Sequence, residues 1–306
     1  MPTIKLRFIR LISVIGFATL LSVVLAACGM PSTGAGSGKT LQVIGGENFW
    51  GSIAAQLGGS KVNVTSIVIN PNTDPHEYES SATDARAIAS ADYVILNGAG
   101  YDEWGDKLLS GNPNSNRKVL TVASLLGKKD GDNPHFWYNP AWVTRVADQI
   151  TADYKTMDSA DAAYFDQQRS AFNNALQPYH NLISQIHAKA SGRPVGATES
   201  IFVYMADALG LKLLSPPEFM QAIAEGNDPP AQTVAEFQNQ ISTHQIKMLV
   251  YNMQASSPIT DNLKQLAGRN SIPIVAISET IEPTSASFQD WQVKQLQSLA
   301  AALNAQ

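Results

Sequence analysis

Two Pro-His pairs carry the chemistry of this sequence, one in Asp74-Pro75-His76-Glu77-Tyr78-Glu79 and the other in Asn133-Pro134-His135-Phe136-Trp137. The first lies between an apolar run, Val64–Ile69, and a helix-like stretch from Ser81, which places an imidazole in a loop just after a strand. Open α/β sheets bind ligands beyond the carboxyl ends of their strands, so such loops are where a site is expected. Two acids occupy comparable loops: Glu199 follows Val195-Gly196-Ala197-Thr198, and Glu279 follows Ile274–Ile277. Two neutral imidazoles and two carboxylates balance the charge of one divalent cation. Each residue also has a plainer reading. A lone loop histidine is more often solvated or hydrogen-bonded than ligating, and Glu199 would be favoured at the N-terminus of a helix beginning near Ser200.

The elements that must position these side chains follow from the alternation of short apolar runs with helical patterns. That alternation predicts an α/β protein with mostly parallel sheets in two lobes. Leu41–Ile44, Val62–Ile69, Tyr93–Leu96 and Val119–Val122 read as strands of a first lobe, with helices at Trp50–Leu57, Ala82–Ala89 and Trp104–Leu109. From Pro140, which suits a first helical turn, Ala141–Met157 and Ala160–Ala190 carry apolar residues at helical spacing, with Pro178 the main breaker. A second lobe begins at Gly192-Arg193-Pro194, with strands at Val195–Ala197, Leu213–Leu214, Met248–Tyr251 and Ile274–Ile277. Its helices fall around Phe202–Leu209, Ala231–Thr243, Pro258–Ala267 and Asp290–Asn304. The expected division is therefore 40–139 for the N-terminal lobe, 140–191 for a connecting helical region and 192–306 for the C-terminal lobe.

Asn70-Pro71-Asn72-Thr73-Asp74-Pro75-His76-Glu77-Tyr78-Glu79, followed by Ala91-Asp92-Tyr93-Val94-Ile95-Leu96-Asn97-Gly98, resembles the zinc- and manganese-binding solute receptors of bacterial ABC transporters. The resemblance implies two lobes joined by a long rigid backbone helix, with the metal ion in the cleft between them. It implies His76, His135, Glu199 and Glu279 as ligands, Zn2+ or Mn2+ as the bound ion, and an ABC permease as partner. Thr198-Glu199-Ser200-Ile201-Phe202-Val203-Tyr204 is similar to the segment that supplies the third ligand, an acid in manganese-type members and often a histidine in zinc-type ones. Glu279 stands where many members have Asp, with the same ligating group on a longer arm. The His-rich loop of many zinc-type members has no counterpart here, since Leu125 to Asn133 is short and contains no histidine. Both imidazoles must be neutral to ligate, so affinity is expected to weaken as pH falls toward an ordinary histidine pKa of about 6.5.

The N-terminus predicts an extracytoplasmic location. Lys5, Arg7 and Arg10 precede an apolar stretch, Leu11 to Ala27, short for a membrane span and typical of a secretory signal. Leu25-Ala26-Ala27-Cys28 reads as a lipobox, which makes 1–27 a cleaved signal and Cys28 the lipidated first residue of a membrane-anchored protein. The Gly-, Ser- and Pro-rich stretch 28–39 then reads as a flexible tether. Cys28 is the single cysteine, which removes disulfides and thiolate clusters from consideration. A net charge of -5 without a long basic cluster gives no footprint for nucleic acid.

Two other functions compete with a metal receptor. A metallohydrolase would use the same His and Glu donors, yet it needs an open coordination position and a general base, and the sequence holds no His-Glu-x-x-His motif, Gly-x-Ser-x-Gly elbow or phosphate-binding Gly loop. An organic-solute receptor would need an aromatic-lined pocket, for which Trp50, Trp104 and Trp137 are the candidates. Glu47-Asn48-Phe49-Trp50 follows the first strand and is weighed as a cleft segment, with a direct metal role for Glu47 the lesser reading. His180 and His187, seven residues apart, are read as surface or packing residues, and His244 as a helix cap or solvated side chain.

Overall fold

The computed structural model describes residues 40–304 except Thr73. The expectations for residues 1–39, Cys28 among them, lie outside the described residues.

Among the described residues, eight strands form two four-stranded, all-parallel sheets. The first contains β1 (Leu41–Glu47), β2 (Val62–Val68), β3 (Tyr93–Leu96) and β4 (Lys118–Thr121) in the order β2-β1-β3-β4. The second contains β5 (Pro194–Ala197), β6 (Lys212–Leu213), β7 (Leu249–Asn252) and β8 (Ile274–Ile277) in the order β6-β5-β7-β8, the same winding repeated. Parallel strands covered on both faces read as continuous apolar runs. Tyr93-Val94-Ile95-Leu96 is such a run and is wholly buried. The edge strand β2, Val-Asn-Val-Thr-Ser-Ile-Val, instead exposes its polar positions.

The helices of the first lobe are α1 (Asn48–Gly58), α2 (Ala82–Ser90), α3 (Glu103–Gly111) and the short α4 (Val122–Leu126). The second lobe carries α8 (Val203–Ala208), α9 (Pro217–Ala224), α10 (Ala231–Ser242), α11 (Pro258–Arg269) and α12 (Phe288–Asn304). Between them run α5 (Pro140–Met157), α6 (Ala162–Ala175) and α7 (Gln177–Ala190). Asn139 caps α5, its side-chain oxygen accepting the N–H groups of Ala141 and Trp142, and Pro140 fills the first helical position. α6 and α7 form one long helix interrupted at Leu176, which keeps right-handed helical angles and still bonds to Phe172 and His180. The interruption follows from Pro178, which has no N–H to offer the carbonyl one turn back at Asn174. α6 packs on α1 and α5, α7 on α12, so this helix spans both lobes.

The lobes are tied directly as well. Asn48 uses both ends of its amide on the Ile281 backbone, accepting from N–H at 2.9 Å and donating to C=O at 3.4 Å. Gln56 and Gln289 exchange reciprocal side-chain bonds of 3.2 and 2.8 Å. Ser52 Oγ accepts from the Phe288 N–H at 3.0 Å, and the Tyr138 hydroxyl donates to the Ser278 carbonyl at 2.8 Å. A large apolar core runs from Leu41 on β1 to Leu303 on α12, and a smaller second cluster in the first lobe gathers Ile44, Val68, Ile88, Val94, Leu96 and Trp104. Among the described residues, no helix is long and apolar enough to cross a membrane.

Candidate metal centre

All four predicted site residues converge. His76, His135, Glu199 and Glu279 each present one donor atom, and these atoms lie within 4.8 Å of one another.

His76 sits in a 3-10 turn, Pro75–Glu77, capped by Asp74, whose carboxylate accepts the His76 N–H at 2.9 Å. Its Nε2 lies 3.6 Å from Glu279 Oε2. With 19% of its side chain exposed it is the only one of the four that meets solvent, and it borders a cavity of about 580 Å3. His135 is fully buried at the start of a second 3-10 turn, Phe136–Tyr138, just before α5. Its Nδ1 lies 2.7 Å from Asn133 Oδ1. That oxygen is an acceptor, because the Asn133 amide nitrogen donates to the Ser200 carbonyl at 2.7 Å. Nδ1 therefore carries the proton and Nε2 keeps a free lone pair, the tautomer a metal ligand needs. This Nε2 faces Glu199 Oε1 at 3.3 Å and Glu279 Oε2 at 3.8 Å.

Both acids follow strands of the second sheet. Glu199 comes two residues after β5, just before the 3-10 turn Ser200–Phe202, and its Oε1 faces His135 in the cleft. Glu279 comes two residues after β8, and its backbone N–H is held by Gln254 Oε1 at 2.8 Å. The Tyr101 hydroxyl, from the loop after β3, donates to Glu279 Oε2 at 2.6 Å. That bond joins the first lobe to an acid of the second.

The electrostatics of the cluster suit a cation. Burial lowers the pKa of His135 to about 4, and burial together with nearby His135 lowers that of His76. Both imidazoles are thus neutral at pH 7. Burial raises the pKa of Glu199, and burial with the adjacent Glu199 pushes Glu279 up to about 7. Nε2 of both histidines and Oε1 of Glu199 are buried without a hydrogen-bond partner. Unpaired buried polar atoms cost free energy unless something else binds them, and a divalent cation at their common centre would satisfy all three. Neutral imidazole nitrogens and carboxylate oxygens suit zinc or manganese.

The chain's residues 43–302 match the family model described as the zinc-uptake complex component A, periplasmic. The chain belongs to this family. It is 26% identical over 202 residues to the manganese-binding lipoprotein MntA of Halalkalibacterium halodurans, covering 62% of the chain and 65% of that relative. It is 21% identical over 287 residues to the high-affinity zinc uptake system protein ZnuA of Bacillus subtilis, covering 87% of each. In fold it is similar to a Mn-bound mutant of the periplasmic metal binding protein from Candidatus Liberibacter asiaticus, with a TM-score of 0.71, 19% identity and coverage of 85% and 98%.

Several other candidates go elsewhere. Glu47 is fully buried beside Asp102, and burial with that neighbouring acid raises its pKa well above the usual carboxylate range. Asp102 accepts the N–H groups of Asn97 and Gly98 and so shapes the loop that carries Tyr101. Trp50 and Trp137 are core residues, Trp50 donating to Asn97 Oδ1 at 3.1 Å, and Trp104 packs with Tyr78. None of the three lines the cavity beside His76, whose walls include Glu103, Asp130, Asp132, Met220 and Glu225. His180, His187 and His244 lie outside the cluster. Sequence reasoning missed Tyr101, Asn133, Asn252 and Gln254. Asn252 ends β7 and Tyr101 lies in the loop after β3, where a search extended beyond histidines and acids would have met them.

Proposed function

We propose that this protein is an extracytoplasmic receptor that captures one divalent transition metal ion, Zn2+ or Mn2+, and delivers it to an ABC permease for import. The observation that carries the reading is the convergence of four donor atoms, two imidazole nitrogens and two carboxylate oxygens, contributed equally by the two lobes, three of them buried without a hydrogen-bond partner. His76 and His135 come from the first lobe's loops, Glu199 and Glu279 from the second's. Membership of the zinc-uptake family supports this reading, as do the manganese and zinc named for its relatives. We assign no enzymatic activity. The metallohydrolase alternative requires an open coordination position beside a general base, whereas the chain itself supplies four donors.

The lipobox Leu25-Ala26-Ala27-Cys28 supports a lipid anchor on Cys28 after removal of 1–27, with 28–39 as tether. Lobes at 40–139 and 192–306 joined through 140–191 complete the reading. Elemental analysis of the purified protein, followed by competition between zinc and manganese, tests it: one ion per chain is expected. A protein that binds neither ion refutes the receptor.

A further inference from the structure

Asn252, the last residue of β7, lies between the strands that present the two acids, since β7 pairs with β5 on one side and β8 on the other. It is 1% exposed. Its amide nitrogen donates one hydrogen to Glu199 Oε2 and the other to Glu279 Oε1, the latter at 2.6 Å. Its amide oxygen accepts the Gln254 N–H at 3.0 Å. That bond fixes the amide's orientation, because the flipped group would set a carbonyl oxygen against two carboxylates. Both donors are therefore spent, one on each acid.

The consequence is a selection among the four carboxylate oxygens. Glu199 Oε2 and Glu279 Oε1 are held by the amide. Glu199 Oε1 has no hydrogen-bond partner and Glu279 Oε2 accepts from the Tyr101 hydroxyl, which leaves it a second lone pair; these are the oxygens that face His135 Nε2 and, for Glu279, His76 Nε2 as well. We propose that Asn252 is a positioning residue that sets ion preference: by occupying one oxygen of each acid it limits both to single-oxygen ligation and presents a four-atom donor set. Four-coordinate nitrogen and oxygen sites suit Zn2+, whereas Mn2+ favours six-coordinate, oxygen-rich ones. Carboxylates free to pivot would offer both oxygens and reach the higher coordination numbers.

This inference rests on the metal-receptor reading above, and the test separates the two. The full chain, purified and stripped of metal, is titrated with Co2+ and with zinc and manganese in competition, for wild type, Asn252→Leu and Asn252→Ser. Leu keeps the shape and removes both donors, while Ser retains one. Wild type should show the intense visible bands of four-coordinate Co2+. Asn252→Leu should show weaker bands of higher coordination and a zinc-to-manganese affinity ratio reduced by about tenfold or more, with Asn252→Ser between. A wild-type protein that binds no metal overturns the receptor reading and this inference with it. A six-coordinate Co2+ spectrum in wild type overturns the inference alone. So does an unchanged ratio and spectrum in whichever variant melts like wild type without metal and binds one ion per chain.

Discussion

Proton competition at Glu279 should dominate the pH dependence of metal binding, displacing the histidines that their ordinary pKa would nominate. Glu279 must be ionised to ligate, and its carboxyl is held up to about 7 by burial and by Glu199. His135, lowered to about 4, is already neutral across the physiological range. For one group with a pKa of about 7, lowering pH from 8 to 5 should weaken apparent affinity roughly a hundredfold, about 3 kcal/mol. Asp74, raised to about 7 by burial and by Glu279, shares this titration, so the released protons belong to the cluster and not to one residue. A metal-buffered competition titration against a chromophoric chelator at half-unit pH steps measures the slope, and Glu279→Gln should reduce it by about one proton while weakening binding at pH 8. The metal-free protein carries the opposite sign. A carboxyl whose folded pKa lies above its unfolded value contributes stability present below the unfolded value and lost as pH rises through the folded one. Without metal, Glu279→Gln should therefore melt higher than wild type at pH 8, by at most about 3 kcal/mol, and equal it near pH 4. Affinity that is flat from pH 8 to 6, or a slope untouched by Glu279→Gln, would refute the assignment.

His76→Ala should abolish tight binding and, with it, the thermal stabilisation of roughly 2.7 kcal/mol expected at a hundredfold metal excess over Kd. Calorimetry with and without zinc checks this, and an undiminished shift removes His76 from the site. Asn133→Ala frees the His135 tautomer and should weaken zinc binding by about 10- to 100-fold; equal affinity in a competition assay would mean that the tautomer is fixed by other means. Cys28→Ala should abolish membrane partitioning or processing while leaving metal binding intact. Detergent partitioning with mass spectrometry of the N-terminal peptide decides it, since an unmodified wild-type N-terminus excludes the anchor.

The strands and the candidate ligands were legible because each has a one-dimensional signature. Short, uninterrupted apolar runs mark strands covered on both faces, and Tyr93–Leu96 and Ile274–Ile277 fall where the sequence places them. Histidine and glutamate after a strand are few enough to inspect one by one. The helix α9 is not among the expected elements; its Pro217 occupies a first-turn position where a missing N–H costs nothing. The break at Leu176 was legible as Pro178, but its small size was not: the helix continues because the neighbouring bonds at Leu176 survive.

What the sequence hides is the layer that disciplines the donors. Asn133 lies two residues before His135, yet its role depends on its amide being turned by the Ser200 carbonyl, 67 residues away. Tyr101 is aromatic after a strand, an ordinary core residue by type, until its hydroxyl is found on Glu279, 178 residues on. Asn252 is uncharged and sits 53 and 27 residues from the acids it bridges. Long-range partners of this kind leave no local pattern, because residue type constrains only what a side chain can donate and not where. Asn252 on one Glu279 oxygen and Tyr101 on the other fix a side chain that would otherwise have rotamers to spare. The candidate donors are thus legible in the sequence, whereas their geometry resides in contacts that exist only once both sheets have formed.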